Sequence, residues 1–146
     1  MRAVVQRVAS ARVEVGGQTV GEMGPGLCVL LGVARDDDAA AAERLAGRLA
    51  RLRIFENGNG KFDRSVLDTG GAVLVVSNFT LIADTARGNR PSFSDAAEPV
   101  HAELLYESLC TALRELGVAV ETGAFGSRMR VELVNDGPVT VVLDSS

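Results

Sequence analysis

Few side chains in this 146-residue sequence could carry bond chemistry. His101 is the only histidine, so a serine–histidine–aspartate triad would have to pass through it. It lies early in an expected helix beside Glu98 and Glu103, where a solvated helix face is the simpler reading. One histidine and two distant cysteines, Cys28 and Cys110, offer no metal-ligand spacing. There is no Walker loop and no G-x-G-x-x-G opening a helix. The expectation is a protein with neither metal nor cofactor.

Three polar stretches remain. In SNFTL (77–81) the hydroxyls of Ser77 and Thr80 interrupt an apolar run. They read either as a strand edge that satisfies its own backbone, or as a nucleophile or oxyanion donor at a strand end, where α/β sites commonly lie. RGNRPSF (87–93) brings together Arg87, Arg90 and Phe93, a set suited to phosphate and base contacts or to a solvated loop with one hydrophobic anchor. In VNDGPVT (134–140) an Asp-Gly pair suggests a two-residue hairpin, yet the position that should donate the closing hydrogen bond is Pro138, which has no N–H. A type VI turn with a cis Gly137–Pro138 bond is the alternative.

These stretches must be positioned by the elements around them. Residues 3–8 and 11–15 alternate and are β-branched, so they predict two strands, with QTVGEM following the Gly16-Gly17 turn. GLCVLLGV (26–33) and the run over 70–84 read as strands buried on both faces. Residues 36–55 open with three aspartates and place Leu45, Leu49 and Leu52 on one face, predicting an amphipathic helix. Residues 56–65 and 85–98 read as loops, and long loops in compact domains are often functional. Pro99 suits the first turn of a second helix over about 99–116, ended by Gly117. Strands at VAVET and MRVELV, the 135–138 turn and VTVVLD complete the pattern. The fold class expected is α/β, α+β-like: one domain over 1–146, with mixed, largely antiparallel sheets or a barrel-like β core and two main amphipathic helices.

Bulk properties agree with this. A chain of this length can bury roughly 68–70% of its unfolded surface without staples. Cys28 lies in an apolar run and Cys110 in a helical pattern, so both read as buried small hydrophobes rather than a disulfide. No apolar run nears the ~18 residues of a membrane span, and no signal-peptide core is visible, so a cytoplasmic protein is expected. The net charge of −4 opposes broad coating of nucleic acid but allows a grip on one RNA end. Arg48 and Arg51 read as a solvated helix face.

In order and separation, MRAVVQRV, GPGLCVLLGV, LRIFE, LVVSNFTL, RGNRPSFS, GAFG and LVNDGPVT resemble the D-aminoacyl-tRNA deacylases over essentially the whole chain. The resemblance implies a homodimer that hydrolyses the ester between a D-amino acid and the terminal ribose of tRNA, with the aminoacyl-tRNA 3′ end as partner and no membrane. It implies catalytic roles for Ser77, Phe79 and Thr80. It makes Gly137 and Pro138 a Gly-cisPro filter that projects into the partner subunit's site and rejects L-aminoacyl esters. Arg7 would support that loop, and Phe125 would pack near the terminal adenosine. Asn78 stands where the family usually has Gln, which leaves any contact of that amide open. Two mechanisms are compatible: attack by Thr80, or oxyanion binding by main-chain N–H groups with help from the tRNA ribose hydroxyl. Glycine has no side chain to clash, so mischarged glycyl-tRNA is a further expected substrate. A binder of RNA ends without turnover and a small-ester hydrolase are the rival functions.

Overall fold

The computed structural model describes residues 1–145. Its longest early element is β1 (Arg2–Val15), one continuous strand where the sequence predicts two. Ala9 and Ser10 between the predicted pieces stay extended and exposed because neither forms a turn. The first half of β1 pairs antiparallel with β3 (Gly26–Gly32) and the second half with β2 (Gln18–Met23). On its other side β1 pairs antiparallel with β8 (Arg130–Asp144) along most of its length. β3 continues parallel to β6 (Ala72–Ser77), and β6 parallel to β7 (Ala119–Thr122). The mixed, mostly antiparallel sheet thus matches expectation, and β2 curls over to contact β6 and β7, giving a nearly closed, barrel-like form.

The core has two sides because β3 and β6 are apolar at successive positions. Leu27, Val29, Leu31, Val73 and Val75 face one cluster with the helices. Cys28, Leu74 and Val76 face a second cluster inside the curl, with Val8, Ala11 and Val13. On the outer face lie α1 (Ala39–Arg51) and α3 (Pro99–Glu115). The Asp38 side chain caps α1 by accepting from the Ala41 N–H at 2.9 Å, so the helix begins after the aspartate run rather than within it. Leu45, Leu49, Leu109 and Leu113 are fully buried between helices and sheet, each such burial favouring folding by about 1.5–3 kcal/mol.

Three further expectations need correction. The strand predicted over 70–84 stops at Ser77 and gives way to a 3₁₀ turn (Phe79–Ile82). The loop predicted over 56–65 holds a short antiparallel hairpin, β4 (Phe55–Glu56) and β5 (Phe62–Arg64), followed by the one-turn α2 (Val66–Thr69). Residues 135–138 do not reverse the chain. Gln6 pairs with Thr140 while Val8 pairs with Asn135, so β8 carries extra residues that loop out and then rejoins β1. This is a bulge of several residues inside one strand, which needs no closing donor at Pro138. The Gly137–Pro138 peptide is cis.

Candidate active site

At the end of β6 the chain turns sharply beside β3. The Asn78 N–H donates to the Leu31 carbonyl at 2.8 Å, and the Leu81 N–H closes the turn on the Asn78 carbonyl at 3.2 Å. Asparagine at a cap position normally accepts from the N–H groups that follow it. Here no side chain caps the turn, and Asn78 Oδ1 instead accepts the Thr80 hydroxyl at 2.6 Å. Among the described residues the Phe79 and Thr80 N–H groups have no acceptor. Space for this turn comes from Gly32. A Cβ there would lie 3.0 Å from Leu81 Cβ, 3.1 Å from Ile82 Cγ1 and 3.2 Å from the Asn78 carbonyl.

The turn forms one wall of a cavity of about 1060 Å³. That is just above the roughly 300–1,000 Å³ usual for ligand sites. Ser77, Asn78, Phe79 and Thr80 line it, with the apolar Leu30, Val33 and Val131 and the ring of Phe125. Phe125 is set by Tyr106 of α3, whose ring lies 5.8 Å away, while the Tyr106 hydroxyl donates to the Val75 carbonyl at 2.8 Å. Phe79 is 56% exposed and meets Phe93 edge-on at 5.2 Å, so the two rings form a lip. Glu98 and Arg128 are the charged residues on the lining.

Burial pushes the thiols of Cys28 and Cys110 up to about 11, which keeps both protonated at neutral pH. Burial also raises the Tyr106 phenol, so it donates without ionising. His101 is turned away from the cavity and bonds the Asp37 carbonyl at 2.8 Å, a tie between α3 and the start of α1 rather than the solvated histidine expected. Among the described residues, no imidazole, thiolate or lysine lines the cavity. What the site offers is a pair of free main-chain donors, hydroxyls and an aromatic lip above an apolar floor. That set can bind a planar ring and stabilise developing negative charge.

The remaining expected residues lie elsewhere. Gly137 and Pro138 are exposed on β8 and do not line the chain's own cavity. Arg7 is buried at 6% exposure beneath their loop. Its Nε donates to the Asp136 carbonyl at 2.9 Å and its Nη1 to the Ile54 carbonyl at 2.8 Å. Nη2 lies 3.6 Å from Glu56, and Nε 3.7 Å from the Asp136 carboxylate. Gly137 has φ +143°, and a Cβ there would sit 2.7 Å from the Val139 nitrogen. Sequence reasoning missed Arg128, Glu98 and Met129 as cavity residues. Of these, Arg128 stands two positions beyond the glycine of GAFG and Glu98 closes the long 85–98 loop, whereas Met129 had no signal of its own.

Residues 4–144 match the family model described as D-Tyr-tRNA(Tyr) deacylase. A protein of Anaeromyxobacter dehalogenans called D-aminoacyl-tRNA deacylase is 61% identical over 99% of this chain and 97% of its own length. One of the same description from Symbiobacterium thermophilum is 59% identical over 99% of this chain and 96% of its own. Among solved structures, one titled c-Myc DNA Unwinding Element Binding Protein has a TM-score of 0.94 at 40% identity, covering 100% of this chain and 99% of that one. A probable eukaryotic D-amino acid tRNA deacylase has a TM-score of 0.85 at 18% identity over 98% of both chains, a likeness of fold.

Proposed function

The chain belongs to the D-Tyr-tRNA(Tyr) deacylase family and is a hydrolase of the ester in D-aminoacyl-tRNA, and from this premise we propose how its residues divide the work. The terminal adenosine lies in the cavity against Phe125, and the ester carbonyl points at the Phe79 and Thr80 N–H groups. As water attacks, the carbonyl oxygen gains charge and those donors stabilise it. The free ribose hydroxyl of the tRNA helps activate the water. Thr80 is not the nucleophile in this reading. Its proton is already given to Asn78 Oδ1, an amide oxygen that is no general base, and an unassisted hydroxyl is a poor nucleophile at neutral pH. The single observation that carries the mechanism is the pair of uncapped N–H groups on the cavity wall.

Chirality is read by exclusion. Both hands of an amino acid carry the same groups, so rigid atoms set where an L side chain would go separate them better than attraction does. A ratio of about ten-thousandfold requires about 5.5 kcal/mol. Gly137 and Pro138 supply those atoms in this reading. In this reading, as the family resemblance implies, they serve the site of a second copy in a homodimer, and their exposure outside their own chain's cavity leaves them free to do so. A main-chain filter ignores side-chain identity and passes many D-amino acids. It also passes glycine, making mischarged glycyl-tRNA a substrate. An enzyme of aminoacyl-tRNA works where translation does, in the cytoplasm.

Paired hydrolysis of D-Tyr-tRNA and L-Tyr-tRNA by the purified protein tests the proposal. The expected result is rapid loss of the D ester with the L ester intact. Equal loss of both would remove the filter, and binding without loss of either would favour a binder of RNA ends. Equal rates on a free D-amino-acid ester would favour a small-ester hydrolase.

A further inference from the structure

Arg7 does more than touch the 136–138 loop. Its guanidinium is the junction of three segments: β1 that carries it, residues 54–56 through the Ile54 carbonyl and Glu56, and β8 through the Asp136 carbonyl before Gly137. A fourth segment, β5, adds a contact. The guanidinium carbon lies 5.7 Å from the centre of the Phe62 ring and over its face. Phe62 is nevertheless 54% exposed, so it contributes little to either core cluster and is absent from both. A half-exposed aromatic on a hairpin tip is explained here by the cation it covers.

The hairpin that presents Phe62 is closed by its own hydrogen bonds. The Asn57 N–H donates to the Lys61 carbonyl at 2.9 Å, and Asn57 Oδ1 accepts from the N–H groups of Asn59 and Lys61 at 2.8 and 3.2 Å. Arg53 Nε donates to the Asp63 carbonyl at 2.8 Å, and its guanidinium pairs with the Asp63 carboxylate. Phe62 and Glu56 therefore approach Arg7 from a fixed frame. An arginine held only by its bonds to main-chain carbonyls could rock about its stem. A ring and a carboxylate beside it restrict that rocking, and with it the movement of the Asp136 carbonyl that it holds.

We propose that the β4–β5 hairpin sets the stereochemical selectivity of the enzyme, with Phe62 and Glu56 as positioning residues that act on the Gly137–Pro138 loop through Arg7. This rests on the reading of that loop as the filter. Rejection by a clash works only if the clashing atoms cannot move aside. Loosening Arg7 therefore lets the loop yield to an L side chain, while a D substrate, which does not press on the loop, reacts much as before.

The test measures kcat/KM on D-Tyr-tRNA and L-Tyr-tRNA for the wild type, Phe62→Ala, Phe62→Met and Glu56→Gln, with thermal unfolding of each. The inference expects Phe62→Ala to lower the D-over-L ratio by about tenfold, mainly through faster L-ester hydrolysis. Phe62→Met, which keeps a polarizable side chain over the guanidinium, recovers most of the ratio. Glu56→Gln, which changes charge without volume, lowers the ratio by a smaller factor. A selective wild type whose ratio is unmoved in Phe62→Ala and Glu56→Gln overturns the hairpin's role and leaves the filter standing. Equal loss of D and L activity in those variants marks a merely structural residue and also overturns it. A wild type that hydrolyses both esters alike overturns the filter reading, and this inference with it.

Discussion

Around Ser77–Ile82 most bonds that shape the backbone are made inside the turn or to the neighbouring strand β3, with one from the Arg2 guanidinium to the Leu81 carbonyl at 3.1 Å, whereas the loop at 135–138 is held by a guanidinium 129 positions away in the chain. The turn leaves its donors open by diverting one local side chain, Asn78, onto another, Thr80. The loop is tied to β1 by side chains, Gln6 donating to Asn135 Oδ1 and Arg7 to the Asp136 carbonyl, and Arg7 in turn meets the β4–β5 hairpin. Chemistry and selectivity are thereby placed on supports that share no residue. Changes to one should alter rate, and changes to the other should alter the choice between D and L.

The sharpest way to break this comparison is to remove the shared anchor of the loop. Arg7→Met keeps the aliphatic stem but withdraws the donors from the Ile54 and Asp136 carbonyls, leaving Glu56 without its partner. Urea unfolding should show a loss of about 2–4 kcal/mol, as expected when buried acceptors lose a charged donor. The protein that still folds should hydrolyse L-Tyr-tRNA far faster than wild type does. A stability loss below about 1 kcal/mol with selectivity intact would mean that the loop holds itself.

Gly32→Ala strikes the other support. The added methyl meets Leu81, Ile82 and the Asn78 carbonyl at 3.0 to 3.2 Å, all in the 3₁₀ turn, so the turn must shift by a few tenths of an ångström. Overpacking of this kind costs about 1–3 kcal/mol. Misplacing the Phe79 and Thr80 donors should lower kcat by about tenfold. The ratio of D to L hydrolysis should stay at its wild-type value, since nothing at Gly32 touches the loop. A changed ratio with unchanged kcat would dissolve the division between the two regions.

How far each region was legible in the sequence follows from the same difference. α1 and α3 could be read because their signals are local: an aspartate cap before a leucine stripe, and a proline at the first helical turn. β3 and β6 could be read from apolar runs that need burial on both faces. The SNFTL residues were found as a polar break in such a run, but not their geometry. Leu81 and Ile82 look like more strand, and only the glycine of the adjacent strand reveals a tight turn packed on it. The 135–138 stretch looked like a hairpin because its own residues favour one. Pairing of both flanks with β1 overrode that preference and turned it into a bulge. The Arg7 junction had no local signal, since its bonds reach 47 and 129 positions along the chain. Its motif resemblance located Arg7, but nothing in the sequence pointed to Phe62.

The smallest effect expected is at the residue that looks most like a nucleophile. Thr80→Ala removes the hydroxyl but not the main-chain N–H groups, so oxyanion binding survives. The hydrolysis rate should stay within about tenfold of wild type, whereas a covalent route would lose several powers of ten. Some loss is expected for a definite reason. With the Thr80 hydroxyl gone, Asn78 Oδ1 is free to cap the turn and compete with substrate for the same donors. Asn78→Ala in the Thr80→Ala background removes that competitor and should recover rate. Single-turnover hydrolysis of D-Tyr-tRNA by the two single variants and the double variant decides it. A double variant faster than Thr80→Ala identifies the open donors as the catalytic feature. One equally slow or slower would show that the hydroxyl itself takes part, and the turn would then have to be read as a holder of side-chain chemistry after all.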